Sequence, residues 1–133
     1  MSAKLYPVPP PAAAQSQLPV LNARLSGIYN SGTISLQMPN GKVYKGPWTR
    51  VGSAASTQPD AGMSAAWDAV YGPGYYTAHV LGKRLYAEAA ITGEQGIVYH
   101  VEFYRDDDPH VIRILGVAKD SAGNIYKMVA GAT

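Results

Sequence analysis

The sequence predicts a mainly β protein: an antiparallel meander of about seven or eight strands, forming a small barrel or sandwich, with one short α-helix. Three observations lead there. From about residue 20 onward, apolar and polar residues alternate with period two. Gly, Asn, Asp and Pro punctuate that alternation at short intervals. The connections between the alternating stretches are short, as in hairpins.

Taken in order, "LNARLSGIYN" (21–30) sets Leu21, Ala23 and Leu25 against Arg24 and Ser26, with Gly27 expected to form a bulge. "TISLQM" (33–38) places Ile34, Leu36 and Met38 on one face. "PNG" (39–41) then supplies a turn. Pairing Met38 with Lys42 sets Leu36 opposite Tyr44 and Ile34 opposite Gly46. Pro47 has no N–H to give a ladder, which predicts an edge or a bend there. "DAGMSAAWDAV" (60–70) changes to helical spacing: Met63, Ala66, Trp67 and Val70 share a face, Asp60 can cap, and "YGPG" stops the helix. Trp67 is the expected anchor of that helix on the sheet. "YYTAHVLG" (75–82) is expected to add a strand carrying His79.

The last third specifies its own facing. "RLYAEAAIT" (84–92) and "GIVYHVEFY" (96–104) are joined by three residues, Gly93 to Gln95. Pairing Thr92 with Gly96 sets Ile91 against Ile97, Ala89 against Tyr99, Ala87 against Val101 and Leu85 against Phe103, an all-apolar face that a one-residue slip would destroy. The opposite face then carries Glu88 opposite His100 and Tyr86 opposite Glu102. Pairing Arg105 with His110 leaves Asp106 to Pro109 as a four-residue hairpin loop. It places Glu102 opposite Arg113, a favourable cross-strand charge pair. "DSAG" (120–123) turns the chain into the final strand, "NIYKMVA" (124–130).

The 133 residues suit one domain over 20–133, preceded by a Pro/Ala-rich segment over 1–19. Five prolines in "YPVPPPAAAQSQLP" predict an extended, poorly packing tether. Met1-Ser2 directly before such a spacer is what an exported protein shows when a start methionine stands in place of its export signal. No run approaches the ~18 apolar residues of a membrane-spanning helix.

Composition narrows the chemistry. With no cysteine, disulfides, thiolate catalysis, zinc–thiolate sites and iron–sulfur clusters drop out together. A net charge of +2 on scattered cations makes no nucleic-acid footprint. The carboxylates of Asp106, Asp107 and Asp108 are consecutive and splay apart, unlike the alternating ligands and distal carboxylate of a calcium loop. No metal site, catalytic residue or cofactor is expected.

The best polar constellation is Tyr86, Glu88, His100, Glu102 and Arg113. As a general-base arrangement it lacks a nucleophile on the same face, so a hydrolase ranks third. With that face turned into a barrel, the five would line a small-ligand pocket, the second reading. Tyr71, Tyr75 and Tyr76 surround a rigid "GPG" turn and serve either as an exposed interaction patch or as a barrel plug.

The segments "SGTISLQMPNGKVYKGPW", "AWDAVYGPGYYTAHVLG", "EFY" and "GVAKDSAGNIYKM" resemble small exported proteins and lipoproteins of Gram-negative bacteria, in which a short tether precedes a β-rich domain. The resemblance spans roughly residues 20 to 130. "GVAKDSAGNIYK" is its most specific part. It implies a location in the periplasm or at the outer membrane, another envelope protein as partner, and no catalytic residues. The lipobox cysteine such proteins carry is not in this chain, so a membrane contact would need an anchor from elsewhere. The first reading is thus a non-catalytic structural or interaction module of the cell envelope.

Overall fold

Eight antiparallel strands hydrogen-bond in chain order, and the last closes onto the first, making a barrel. In this computed structural model the described residues are 2–8, 20–28, 31–52, 63–76, 86–105, 110 and 113–131. The elements are β1 (Ser2–Val8), β2 (Leu21–Ile28), β3 (Ser31–Gln37), β4 (Val43–Gly52), α1 (Met63–Tyr71), β5 (Tyr86–Thr92), β6 (Val98–Arg105), β7 (Arg113–Asp120) and β8 (Ile125–Gly131). Of the two architectures the alternation permits, the molecule adopts the barrel. Closure gives every strand a neighbour on both sides, though the ladder to β2 covers only Ser2–Leu5 of β1 and the ladder to β5 begins at Trp48 of β4.

The eighth strand comes from the segment expected to be a tether. Ala3 and Leu5 are buried, while Ser2, Lys4 and Tyr6 face solvent. β1 pairs with β8 from Ala3↔Ala130 to Val8↔Ile125, and with β2 from Ser2↔Arg24 to Leu5↔Leu21. The ladder to β2 ends before Pro7, so the missing N–H of that proline faces no β2 partner. The tether reading is therefore corrected for residues 2–8; residues 9–19 lie outside the described residues. The strand expected over 75–82 opens instead on a helical turn at Tyr75 and Tyr76. His79 and the Asp60 cap also lie outside the described residues.

Register shows what period two can and cannot specify. β3 and β4 pair as predicted, Leu36↔Tyr44 and Ile34↔Gly46, with the Met38 N–H donating to the Lys42 carbonyl at 2.8 Å. Gly27 forms no bulge; it sits opposite Gly32 in an unbroken ladder with φ of 131°. β5 and β6 are displaced two residues from the predicted pairing: Ile91 meets Tyr99 and Ala87 meets Phe103. Here a turn containing Glu94–Gly96, with Gln95 and Gly96 at positive φ, lengthens the connection. β6 and β7 are displaced by four, so Arg105 meets Ile114 and Glu102 meets Val117. Both shifts are even, and an even shift keeps every side chain on its face. Asp106 to Pro109 lie outside the described residues.

Eight strands enclose a space that side chains can just fill. Here Leu5, Leu25, Ile34, Leu36, Ile91, Val101, Phe103, Tyr126 and Met128 interlock with alanines 3, 23, 87, 89, 118 and 130. Trp48 lies at one end, where its indole N–H donates to the Ser26 carbonyl at 2.9 Å and its ring meets Phe103 edge-on at 5.8 Å. Pro47 pairs with Thr33 of β3 and stands immediately before the ladder to β5, which begins at Trp48↔Ala89, so its missing N–H faces no β5 partner.

The turn between β7 and β8 is built on Asp120, which is 5% exposed. Its carboxylate accepts from the Ala122 N–H at 3.0 Å, the Asn124 N–H at 2.8 Å and Asn124 Nδ2 at 2.9 Å. Asp120→Ala strands these donors and is expected to cost about 2–3 kcal/mol, with Asp120→Asn costing less. Urea unfolding of the two variants checks this ordering.

Candidate functional site

The polar face of β5 and β6 points outward. Glu88, His100 and Glu102 line an open groove of about 400 Å³ across β4, β5 and β6, together with Pro47 and Thr49. Directly opposite Glu88 stands Glu102, with Thr49 on its other side; His100 sits opposite Ala90 and Lys119, diagonal to Glu88. The predicted Glu88–His100 and Tyr86–Glu102 cross-strand pairs are thus replaced. Arg113 pairs with Gly131 at the start of β7. It lies four residues, about 13 Å along the strand, from the Val117 that faces Glu102. Tyr86 pairs through its backbone with Gly52, and its side chain lies outside the described residues. The second reading needed this face turned inward; among the described residues the apolar face lies inside the barrel, and Glu88, His100 and Glu102 lie on its outer wall.

Glu102 belongs as much to α1 as to the groove. It is 5% exposed and accepts a hydrogen bond from the indole N–H of Trp67 at 2.9 Å. Ala66 and Trp67 pack on Tyr104 and Val117, the outward residues of β6 and β7, with Leu115 and Ile125 at the margin. The anchoring role expected of Trp67 is what the structure shows.

The three tyrosines around the "GPG" turn join the same cluster. Tyr71 and Tyr75 stack at 4.6 Å, with Trp67 stacked on both at 5.6 and 6.2 Å. The Tyr71 hydroxyl donates towards the Gly116 carbonyl at 3.0 Å and lies 3.4 Å from that of Met128. Hydroxyls of Tyr75 and Tyr104 are hydrogen-bonded to each other. Lys127 sits over the Tyr71 ring at 5.3 Å. The backbone N–H of Tyr76 donates to Asp68 at 2.9 Å. All three are half-buried. They fasten the helix to the barrel wall, so the barrel-plug reading is corrected to an external strut.

Burial, followed by the negative charge Tyr75 would carry, pushes the Tyr71 hydroxyl well above its ordinary pKa. Burial and then Asp120 push Tyr126 up to about 12 and Tyr99 upward. A folded pKa above the unfolded value of about 10 means the folded state holds its proton longer. The contribution of these tyrosines to stability should therefore be level below pH ~10 and be lost as pH rises through the folded values. Absorbance at 295 nm should show a late-ionising set, moving to pH ~10 on unfolding in urea.

A second groove, about 630 Å³, lies on the outer wall from β8 across β1, β2 and β3 to β4. Lys4, Arg24, Asn22, Ser35, Gln37 and Tyr6 line it. The available signal was the distribution of charge: residues 1–59 hold Lys4, Arg24, Lys42, Lys45 and Arg50 and no acid, and all nine acids lie between 60 and 120. Widely spaced in the chain, Lys4 and Arg24 become diagonal neighbours because Lys4 pairs with Asn22 and Ser2 with Arg24.

Together these features define an eight-stranded antiparallel barrel with a filled core, an external helix and its open surfaces on the outer wall. No protein-family model, curated protein or solved structure matches the chain.

Proposed function

We propose that this protein is a non-catalytic interaction module of the bacterial cell envelope, meeting other envelope components through the outside of its barrel. The observation that carries the reading is the filled interior. An eight-stranded barrel that carries a ligand needs space inside, whereas here the inward positions hold interlocking apolar side chains and both grooves lie outside. Support for the envelope location comes from the resemblance in "GVAKDSAGNIYK" to exported proteins.

Fractionation of the native host, carrying an epitope-tagged full-length gene product, tests the proposal. The tag should be degraded by protease added to spheroplasts whose cytoplasmic membrane is intact. Protection of the tag until that membrane is lysed would place the protein in the cytosol and overturn the reading.

A further inference from the structure

The groove across β1 to β4 has a chemistry of its own. Lys4 and Arg24 are exposed, and among the described residues neither has a carboxylate partner, whereas Lys42 Nζ pairs with Glu94 at 3.2 Å. Diagonal neighbours on paired strands lie about 7–8 Å apart, so two cations stand close together in one groove. Around them are the amides of Asn22 and Gln37, the hydroxyls of Ser2 and Ser35, and the ring of Tyr6, which is 42% exposed. Lys45 continues the basic row, opposite Ser35 and so in line with Arg24. No acid lies anywhere in residues 1–59, so β1 to β4 carry cations only, and Glu94 reaches this side from the turn before β6 to pair with Lys42.

We propose that this groove binds an anionic oligosaccharide, its acidic groups held by Lys4 and Arg24, its hydroxyls by Asn22, Gln37 and Ser35, and one sugar face by the Tyr6 ring. The inference rests on the reading of the outer wall as the binding surface. Charge complementarity selects an anion, and side-chain amides and hydroxyls that both donate and accept suit a ligand rich in hydroxyls. A protein partner fits less well. Interface centres are aromatic and apolar, whereas this groove has a single aromatic ring and sets Val43 and Val129 among two cations, two amides and two hydroxyls. A nucleic acid would need a longer basic track and stacking platforms.

The test is calorimetric titration of the full chain with four probes of similar length. Hexagalacturonate carries carboxylates, a phosphomannan oligosaccharide carries phosphates, maltohexaose is neutral, and a hexathymidylate is a polyanion of another class. At least one acidic sugar should bind, the stronger of the two identifying the acidic group, while maltohexaose and hexathymidylate bind at least tenfold more weakly. Charge-assisted hydrogen bonds are strong enough that Lys4→Gln with Arg24→Gln should weaken binding about tenfold or more. Both residues are exposed, so the circular dichroism and melting temperature should not move; Arg105→Gln, at the exposed end of β6, should bind as the parent does. Amide shifts on titration should fall on Lys4, Asn22, Arg24 and Gln37.

Binding of neither acidic sugar, equal binding of the neutral or nucleotide probe, or shifts confined to the Glu88–His100 groove would overturn the inference. Such a failure, with the protein outside the cytoplasmic membrane, leaves the outer-wall module reading in place. A cytosolic location removes that reading whatever the titration shows.

Discussion

Replacing Trp67 with alanine is expected to cost about 4 kcal/mol, within the range for truncating a fully buried aromatic residue. Two effects add. The indole is 0% exposed and stacked against Tyr71 and Tyr75, so its loss opens a cavity between α1 and the barrel. Its N–H also donates to Glu102 at 2.9 Å, and a buried carboxylate deprived of a donor is costly. The damage should be local. The Trp67 cluster lies outside the barrel and is separate from the cluster that fills it. Hydrogen exchange should accelerate first in 63–71, ahead of β2 and β3. Trp67→Phe keeps much of the packing and loses only the donor, so it should cost less. A loss below about 1 kcal/mol in urea unfolding of Trp67→Ala would show that something else holds the helix.

Gly46→Ala should be the most damaging single-carbon addition in β4, at roughly 3 kcal/mol or more. A Cβ on Gly46 would lie 2.1 Å from the Ala90 carbonyl oxygen and 3.0 Å from Ile91 Cγ1. The first obstacle is backbone, so relief requires parting β4 from β5. Glycine at a barrel corner lets neighbouring backbones approach this closely, and Pro47 follows at once. Lys45→Ala, one residue away and pointing outward, should change stability by about 0.5 kcal/mol or less. Parallel thermal melts decide it: equal melting temperatures for the two variants would sink the corner argument.

Both residues illustrate how much could be read in advance. Trp67 was legible as the helix anchor because a 3.6-residue spacing puts it on the apolar face with Ala66 and Val70. That the helix would dock outside the barrel, against Glu102 and Val117, was not legible, since helical spacing names a face and no partner. Gly46 was correctly paired with Ile34, because the short turn at 38–42 leaves one register. Its clash with Ala90 involves β5, more than forty residues on in the chain, and no local pattern reports that approach.

The candidate sites divide in the same way. Alternation placed Glu88, His100 and Glu102 together on one face, and they share one groove. Arg113 was joined to them by an assumed four-residue loop, and the longer connection moved it down the strand. Ser2–Val8 was hidden because only five residues of alternation precede the first of five prolines.

By itself, then, the sequence determined side-chain parity. Leu, Ile, Val and Phe recur at every second position, so each strand has a face that must leave water, and shifts of two or four residues do not disturb that choice. Closure was decided by tertiary structure alone. Only when β1 met β8 did the apolar faces turn inward together and Glu88, His100, Lys4 and Arg24 turn outward. The reason is physical: burial acts on each residue separately, whereas inside and outside exist only once the sheet has met itself.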